Sequence, residues 1–360
     1  MNLSRAEKQH YSRHLLLDAV GLEGQLKLKE AKVLVIGAGG LGCPILQYLT
    51  AAGVGEIGVI DNDVIEQSNL QRQILYTYPD IGKSKSETAV KRLQLLNPFV
   101  ECRAYNIRLT KANALKLFKP YDIIVDGTDN FPTRYLINDA AVLLNKPVVF
   151  GSIFKFEGQV SVFNFKKGPT YRCLFPTPPK SQDVPNCSEI GVLGILPGII
   201  GNFQANEVLK IILGIGDVLT GKLLTFNALS MTHMLFTCKK NKTITIKALH
   251  EDYNGFCGIQ SPQKSIHFEA YKNQASHFNV LDVRTLEERH AYHIESIHIP
   301  LQELSERHHE IPQDKALLVY CQSGIRSKMA IELLQNNGFK NELVNLKDGI
   351  MHIDMSSFKI

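Results

Sequence analysis

The glycine-rich segment GAGGLG, residues 37–42, constrains the fold of this chain more than any other feature. It follows the β-branched run KVLVI and opens the helix-like segment LGCPILQYLTAAG. Glycines between a strand and a helix allow a tight turn and let phosphates approach the amides at the helix N-terminus. Asp61 follows the next apolar run, where a carboxylate can accept hydrogen bonds from ribose hydroxyls. A nucleotide site is therefore predicted. The glycines assigned to it are Gly37, Gly39, Gly40 and Gly42.

The apolar runs predict an α/β fold with a doubly wound, Rossmann-like mixed sheet. Short runs such as EIGVI, DIIVD and PVVFG alternate with amphipathic segments, a pattern typical of buried parallel strands separated by helices. Two later runs, GQVSVFNF and LLTFNAL, alternate apolar and polar residues and are expected to pair antiparallel. Between them, the apolar segment from Gly198 to Leu213 predicts a buried helix. At this point an NAD-dependent oxidoreductase remains an open alternative.

The polar segment that begins at Asp61 favours a nucleoside triphosphate over a dinucleotide as the ligand. The sequence DNDVIEQSNLQRQ contains Arg72, and Lys83 and Lys85 follow it closely. The motif DGTDNFPTR ends another strand, so its carboxylates lie at the carboxyl edge of the sheet, where open α/β sheets bind ligands. A carboxylate at this edge, Asp126 or Asp129, can hold Mg²⁺. Asp126 can instead cap the loop, and Lys83 is expected to be a solvated charge.

The order of these motifs carries a resemblance to a known family. YSRH, GAGGLG, DNDVIEQSNLQRQ, GKSK, DGTDNFPTR and CSEIGVLG occur over residues 5–258 as in the ubiquitin-activating-like adenylyltransferases of the MoeB and ThiF type. That family activates the sulfur carriers of molybdopterin and thiazole biosynthesis. The resemblance implies ATP and Mg²⁺, with the metal on Asp129. The ATP-binding residues it implies are Gly40, Asp61, Ser68, Asn69, Leu70, Gln71, Arg72, Lys85, Asp129 and Asn130.

The resemblance also implies a reaction and a homodimer. A carboxylate attacks the α-phosphate of ATP and pyrophosphate leaves, so catalysis needs mainly cationic groups that neutralise the developing charge. Arg72, Lys85 and the metal on Asp129 would supply part of that charge. In the family, an arginine that matches Arg13 crosses the dimer interface and reaches the phosphates of the neighbouring subunit, so Arg13 is also expected to be catalytic.

Members of this family usually carry two C-x-x-C pairs that together bind a structural zinc. Here the first pair has become TYRC, residues 170–173, and the second NGFC, residues 254–257. Only Cys173 and Cys257 remain, so a closed site of four thiolates cannot form at these positions. Structural zinc is predicted to be absent, and packing must hold this region instead.

The other cysteines of the first domain fall into two groups. Cys187 follows a proline-rich loop and matches a cysteine that rhodanese-fused relatives use to engage the activated carrier. A catalytic role and no role at all are both open for this thiol. Cys43, Cys102 and Cys238 lie in apolar or alternating segments and are expected to be small core residues.

A second, smaller α/β domain is predicted at residues 264–360, after an adenylyltransferase domain at 1–258 and a linker at 259–263. Its strand ALLVY leads into the loop CQSGIRS, where backbone N–H groups, a helix N-terminus and Arg326 favour a reactive thiolate on Cys321. A cysteine phosphatase needs one more residue between its Cys and Arg than this loop provides. With LDVR and HIESIHIP, the domain resembles a single rhodanese domain, although Tyr292 and Glu295 replace residues common beside the second motif.

The fusion predicts one chain for two reactions. The first domain would adenylate the C-terminal glycine of a small ubiquitin-like sulfur carrier with a Gly-Gly tail. A persulfide on Cys321 would then attack this mixed anhydride, and the carrier would become a thiocarboxylate. A MoaD-like carrier of molybdenum cofactor biosynthesis is favoured, while a ThiS-like carrier of thiamine biosynthesis and a carrier for tRNA thiolation stay open. Thiosulfate and a persulfide carried by a cysteine desulfurase could both load Cys321, and the sequence leaves the donor open. The alternatives are an NAD-dependent oxidoreductase with a sulfur-handling domain and a non-catalytic docking scaffold for a ubiquitin-like protein.

Composition argues against two classes of partner. The 40 basic and 35 acidic residues give a formal charge of +5 without any Lys/Arg block, so a nucleic-acid partner is not indicated. The longest apolar run, GVLGILPGII, contains Pro197 and is much shorter than a membrane helix. The N-terminal segment lacks the apolar core of a signal peptide. A cytoplasmic protein without a membrane partner is expected.

Overall fold

The structure is a computed structural model that describes residues 2–179, 191–258, 264–351 and 353. By its internal contacts the chain divides into two compact units, Met1–Ile259 and Gln260–Ile360. This division falls at the predicted linker, residues 259–263, which lies outside the described residues. No helix within the described ranges is both long and apolar enough to cross a lipid bilayer.

An eight-stranded sheet forms the centre of the first unit. Its strands are Lys32–Ile36 (β1), Glu56–Ile60 (β2), Glu101–Tyr105 (β3), Ile123–Asp126 (β4), Val148–Phe154 (β5), Glu157–Phe163 (β6), Lys222–Asn227 (β7) and Thr232–Thr237 (β8). They lie in the order β3-β2-β1-β4-β5-β6-β7-β8. The strands from β3 to β5 run parallel, and β6, β7 and β8 add antiparallel. The predicted doubly wound mixed sheet is confirmed, including the antiparallel pairing of β6 with β7.

Helices connect the strands and cover both faces of this sheet. They are Arg5–His10 (α1), Ser12–Leu15 (α2), Gly21–Glu30 (α3), Gly42–Ala52 (α4), Lys85–Leu96 (α5), Lys111–Phe118 (α6), Phe131–Leu143 (α7), Tyr171–Leu174 (α8), Ile195–Leu213 (α9) and Tyr253–Phe256 (α10). Short 3-10 helices occur at Gln67–Asn69, Tyr78–Asp80 and Phe165–Lys167. Successive side chains of β1 belong to two different apolar clusters, because neighbouring side chains of a strand point to opposite faces.

The register of the central strands brings the predicted site loops together. Ile36 at the end of β1 pairs with Ile60 at the end of β2 and with Asp126 at the end of β4. The segments that follow these three residues therefore leave the sheet at the same edge. The glycine-rich turn, Asp61 and the DGTDN segment meet there because parallel strands share one carboxyl edge.

Three features of the first unit differ from the sequence analysis or escape it. β3 and β8 carry no recognisable pattern because both are edge strands with mostly exposed side chains. The helix predicted from Gly198 begins at Ile195. Pro197 fits in its first turn, where the backbone N–H groups have no partner within the helix.

A group of buried side chains ties α10 to α7 and α8, and we call it the Arg172 clamp. Arg172 donates to both carboxylate oxygens of Asp139, at 2.7 and 2.8 Å. The hydroxyl of Tyr253 donates to the same carboxylate at 2.8 Å. The guanidinium also lies over the rings of Tyr135 and Phe256, at 4.9 and 4.7 Å from their centroids. Ion pairing, a hydrogen bond and cation–π contacts thus connect α10 to α7 and α8.

We expect Arg172→Met to lower the free energy of unfolding of the first unit by about 3–5 kcal/mol, because it leaves a buried carboxylate without its cation. The side chain of Asp139 is 3% exposed. Urea denaturation followed by far-ultraviolet circular dichroism measures this loss, since the chain has no tryptophan. Lys27→Met is the matched control, because its pair with Glu23 is exposed and should contribute less than about 1 kcal/mol. Equal midpoints for the two variants would contradict the role of the clamp.

The second unit is a five-stranded parallel sheet with helices between its strands. Its strands are Lys264–Ile266 (β9), Phe278–Asp282 (β10), Ile297–His298 (β11), Ala316–Tyr320 (β12) and Leu343–Leu346 (β13), in the order β11-β10-β12-β13-β9. Its helices are Phe268–Lys272 (α11), Leu286–Ala291 (α12), Leu304–Arg307 (α13) and Ile325–Asn336 (α14), with 3-10 turns at Ala275–His277 and His308–Glu310. The strands predicted in NVLDVR, ALLVY and ELVNL are confirmed, whereas HIESIHIP contributes only two strand residues.

Candidate functional site

A cavity of about 610 Å³ opens at the carboxyl edge of β1, β2 and β4 in the first unit. Most of the predicted nucleotide ligands line it: Gly37, Gly39, Gly40, Asp61, Asn69, Arg72, Lys85, Asp129 and Asn130. Gly42, Ser68, Leu70 and Gln71 belong to the same segments but do not line the cavity. The cavity therefore lies where the sequence motifs predict a site, but only some residues of each motif line it.

The glycine-rich turn needs glycine at its first position for two reasons. Gly37 has a φ of +92°, which side chains rarely allow, and a Cβ there would lie 2.7 Å from the carbonyl oxygen of Gly127. The β1–α4 turn and the loop after β4 therefore approach each other closely. This packing leaves backbone rather than side chains beside the cavity, as phosphate binding requires.

Asp61 is held by backbone amides on the wall of the cavity. Its two carboxylate oxygens accept hydrogen bonds from the amides of Ala38 and Asp63, each at 2.8 Å. Burial raises the pKa of Asp61 above its ordinary value, and these two amides oppose that shift. The fixed carboxylate lies beside the glycine-rich turn, where a ribose would lie if its phosphates approached the N-terminus of α4.

Lys85 presents a buried ammonium group to the same cavity. Its side chain is 9% exposed, and Nζ lies 3.0 Å from Oδ2 of Asp63, whose own side chain is 64% exposed. The backbone holds the same two residues together, since the amide of Lys85 donates to the carbonyl of Asp63 at 3.0 Å. Lys83, two residues earlier, is 58% exposed and pairs with Asp80 instead. The two lysines therefore have different surroundings: Lys85 lines the cavity and Lys83 does not.

The Gln67–Asn69 turn positions the arginine of this wall. Nη1 of Arg72 donates to the carbonyl of Ser68 at 3.0 Å, and Asn69 accepts from the amide of Glu66 at 3.2 Å. The hydroxyl of Ser68 contacts Glu66. Ser68 thus fixes the turn through its carbonyl and hydroxyl, and the guanidinium of Arg72 reaches the cavity.

The loop after β4 contains one buried and one exposed carboxylate. Asp126 is fully buried and accepts from the amide and the hydroxyl of Thr128, at 2.9 and 2.7 Å, so it caps the loop. Burial raises the pKa of Asp126. Asp129 is exposed and lines the cavity, and Asn130 caps α7 by accepting from the amide of Thr133 at 3.1 Å.

The donor set around Asp129 fits Mg²⁺ bound together with nucleotide phosphates. Mg²⁺ usually takes one or two carboxylates, substrate phosphates and water rather than a complete protein cage. Among the described residues, no cluster of three or more His, Cys, Asp or Glu side chains forms such a cage. A metal at Asp129 would therefore depend on the nucleotide for the rest of its ligands.

Arg134 is a cavity residue that the sequence analysis does not assign, although it ends the quoted motif DGTDNFPTR. It is 8% exposed, its Nη2 donates to the carbonyl of Thr128 at 3.0 Å, and its Nε has no hydrogen-bond partner among the described residues. Gln73 and Arg108 also line the cavity. The signal that could reveal Arg134 is an arginine on the apolar face of α7, next to a site loop.

Two predicted catalytic residues, Arg13 and Cys187, are not among the described residues that line the cavity. Arg13 is exposed on α2 and does not line the cavity, so the predicted role of this arginine depends on a second copy of the chain. Cys187 lies outside the described residues, as does the rest of the segment 180–190. Both assignments remain predictions.

The remaining cysteines of the first unit occupy the positions expected from the sequence. Cys43, Cys102 and Cys238 are buried, which confirms their interpretation as core residues. Cys173 is half-buried and its sulfur accepts from the backbone amides of Thr170 and Asn241, each at 3.3 Å. Cys257 is buried, and burial raises the pKa of this thiol to about 11. The prediction that structural zinc is absent stays a prediction.

Cys321 lies at the base of a loop that surrounds its sulfur with donors. The amides of Gly324 and Ser327 donate to Sγ at 3.2 and 3.3 Å, and the hydroxyl of Ser327 lies 3.4 Å away. Gly324 has a φ of +83°, which lets the chain turn into α14. Oδ1 of Asn345 accepts from the Ser327 hydroxyl at 2.6 Å. Amides directed at a sulfur stabilise negative charge on it.

Arg326 of the same loop is bound to a carboxylate from α12. Its two terminal nitrogens donate to the two oxygens of Glu288 at 2.7 and 2.5 Å. Both side chains are about one-third exposed, at 30% and 31%. The hydrogen bonds from Arg326 lower the pKa of Glu288 to about 2. The cation that the loop sequence provides is therefore already paired.

Comparison with known proteins assigns both units. The ThiF family matches residues 11–246, and the rhodanese-like domain matches residues 268–355. A sulfur carrier protein adenylyltransferase of Thermus thermophilus is 50% identical over 271 residues, which cover 72% of this chain and 100% of that protein. The Mycobacterium tuberculosis protein named "Probable adenylyltransferase/sulfurtransferase MoeZ" is 42% identical over 367 residues, covering 97% of this chain and 93% of that one.

Solved structures support the fold. A crystal structure of Escherichia coli MccB with MccA-N7isoASN has a TM-score of 0.60 at 23% identity, covering 68% of this chain and 75% of that chain. The MccB structure with ATP has a TM-score of 0.58 at the same identity and coverage. At this level of identity, the similarity concerns the fold alone.

Proposed function

This chain belongs to the ThiF family and carries a rhodanese-like domain, so it is an adenylyltransferase and sulfurtransferase, and on this premise we propose a sulfur-carrier protein as its substrate. The C-terminal glycine of a small ubiquitin-like carrier would be adenylated in the first unit. The thiocarboxylate would then form with sulfur from Cys321. The observation that carries the proposal is a sulfur loop with two amides on Cys321, in the same chain as the adenylation fold.

In the first step, a carrier carboxylate oxygen attacks the α-phosphorus of ATP and pyrophosphate leaves. The buried ammonium of Lys85 and the guanidinium of Arg72 would neutralise the charge that develops on the phosphates. Mg²⁺ held at Asp129 would supply further positive charge. In a homodimer, which we also propose, Arg13 of a second copy would complete the site.

In the second step, a Cys321 persulfide attacks the carbonyl carbon of the acyl adenylate and AMP leaves. The product is an acyl disulfide between the carrier and Cys321. A thiol then attacks the Cys321 sulfur, so that the carrier leaves as the thiocarboxylate and Cys321 remains in a disulfide with that thiol. We propose Cys187 as this thiol. Full thiocarboxylate formation by Cys187→Ala would contradict that assignment.

An exposed apolar surface on the β7–β8 hairpin supports a protein as the substrate. Its members are Leu229, Met231, Met234, Leu235 and Phe236, which are between 49% and 69% exposed. Met234 and Phe236 lie on the same face of β8, and exposed apolar side chains grouped in this way are common on surfaces that bind proteins. We propose that the carrier docks on this hairpin. A MoaD-like carrier of molybdenum cofactor biosynthesis is favoured over a ThiS-like carrier, and a cysteine desulfurase is proposed as the donor that loads Cys321.

Carrier-dependent ATP–pyrophosphate exchange tests the proposal. The purified chain is assayed with MoaD-like and ThiS-like carriers in parallel, and with each carrier lacking its Gly-Gly tail as a control. We expect exchange with one intact carrier and none with its truncated form or with Asp129→Ala. Exchange with the ThiS-like carrier alone would reassign the pathway. No exchange with any Gly-Gly carrier would contradict the substrate.

A further inference from the structure

The ion pair between Arg326 and Glu288 bears on which sulfur donors Cys321 can accept. Within the loop CQSGIRS, Arg326 is the single residue with a permanently charged side chain. A donor such as thiosulfate carries two negative charges and delivers its outer sulfur while sulfite leaves. A cation beside the nucleophile would stabilise both the bound dianion and the departing sulfite. Here that cation is already bound by a carboxylate at two points.

Glu288 is anchored independently of the arginine. One of its carboxylate oxygens accepts from the amide of Thr285 at 3.0 Å, and Thr285 accepts from the amide of Glu288 in return. Its backbone carbonyl accepts from the guanidinium of Arg284 at 3.1 Å. Arg284 is itself fully buried against Asp282. The carboxylate is therefore fixed by the start of α12, and Arg326 folds onto a negative charge that is already in place.

The neighbouring arginines offer no substitute for Arg326. Arg284 donates to Asp282 and to backbone carbonyls. Arg289 donates to the hydroxyl and carbonyl of Ser296 and lies 3.6 Å from Asp282. A dianion that binds to Arg326 would have to displace Glu288 or lie beside its carboxylate, and like charges placed together reduce affinity.

We propose that Glu288 is a specificity-determining residue that excludes small dianionic sulfur donors such as thiosulfate from the Cys321 loop. The inference rests on the proposed sulfur transfer at Cys321. A persulfide donor does not need the guanidinium. The Cys321 thiolate attacks its outer sulfur, the S–S bond breaks and the donor thiol leaves as a thiolate, so no oxidant or reductant is consumed. Selection would act by charge repulsion rather than by the size of the site.

The test compares the full chain with Glu288→Gln and Glu288→Asp. Glutamine keeps the shape and the acceptor for the Thr285 amide but removes the charge. Aspartate keeps the charge and, being shorter, cannot reach Arg326 in the same way. Each protein is assayed for transfer of thiosulfate sulfur to cyanide. Each is also treated with cysteine persulfide, and the sulfur atoms gained by Cys321 are counted by intact-protein mass spectrometry.

We expect Glu288→Gln to raise kcat/KM for thiosulfate by about tenfold or more, mainly through a lower KM, and to change loading by cysteine persulfide by less than about twofold. Glu288→Asp should stay closer to the wild type because it retains the charge. An unchanged or lower kcat/KM for thiosulfate in Glu288→Gln, with normal persulfide loading, would overturn the selectivity alone. Failure of both donors to load the wild type and both variants would overturn the proposed sulfur transfer and the selectivity together.

Discussion

Replacing Lys85 with methionine is expected to slow carrier-dependent ATP–pyrophosphate exchange by about 10²-fold or more, the usual cost of removing one electrostatic stabiliser of a transition state. Methionine is close to lysine in length and apolar, so it can fill the buried position without the charge. The ion-pair partner of Lys85, Asp63, is 64% exposed and can be solvated when the ammonium is gone. Activity should therefore fall much more than stability.

Lys83→Met provides the matched control for this experiment. The two lysines are two positions apart, but Lys83 is 58% exposed and pairs with Asp80 away from the cavity. Its replacement should leave the exchange rate within about twofold of the wild type, as expected for a solvated surface charge. Both variants should show the same thermal midpoint within a few degrees. Comparable exchange rates in the two variants would remove Lys85 from the catalytic site.

Replacing Cys321 with serine is expected to abolish thiocarboxylate formation while leaving ATP–pyrophosphate exchange unchanged. An alcohol cannot carry a transferable sulfur as a persulfide, so this is a loss of the chemical step rather than of binding. Serine is slightly smaller than cysteine, and the amides of Gly324 and Ser327 that contact the sulfur would remain. The measurement is mass spectrometry of the carrier after incubation with ATP and a persulfide donor.

Cys173→Ser is the control for the loss of a thiol. Cys173 is half-buried in the first unit, where its sulfur accepts hydrogen bonds from two backbone amides, each at 3.3 Å. It does not line the cavity at the carboxyl edge of β1, β2 and β4, so thiocarboxylate yield should be retained. A Cys321→Ser protein that still gave the wild-type yield would show that another group receives the sulfur.

The sequence predicts which segments line the cavity at the carboxyl edge of β1, β2 and β4. Asp61 directly follows β2 and Asp129 lies in the loop after β4, and the sheet places these strand ends together. Lys85 begins α5 and reaches the same cavity. The sequence cannot show which residues of SNLQRQ face the cavity, because a short turn decides that. Ser68 is used for the turn itself, while Asn69 and Arg72 line the wall.

The sequence fails where a residue acts through a distant partner. The guanidinium of Arg134 lies against the rings of Phe131 and Phe150. Phe131 belongs to the same helix, α7, but Phe150 belongs to β5, so the sequence around Arg134 does not show this second contact. The pairing of Arg326 with Glu288 joins residues 38 positions apart, so the loop sequence alone suggests a free cation. β3 and β8 escape sequence analysis for another reason, because their side chains are mostly exposed and show no alternation of buried and exposed positions.

The Arg172 clamp has a consequence for dividing the chain into separately produced halves. Tyr253 and Phe256 belong to the last helix of the first unit, yet they complete a network centred on α7, whose first residues follow the DGTDN loop. An N-terminal fragment that ends at residue 246, where the family similarity stops, would lack both aromatic rings. Asp139 would lose its tyrosine donor and Arg172 one of its ring contacts. A functional adenylating half should therefore extend through residue 258.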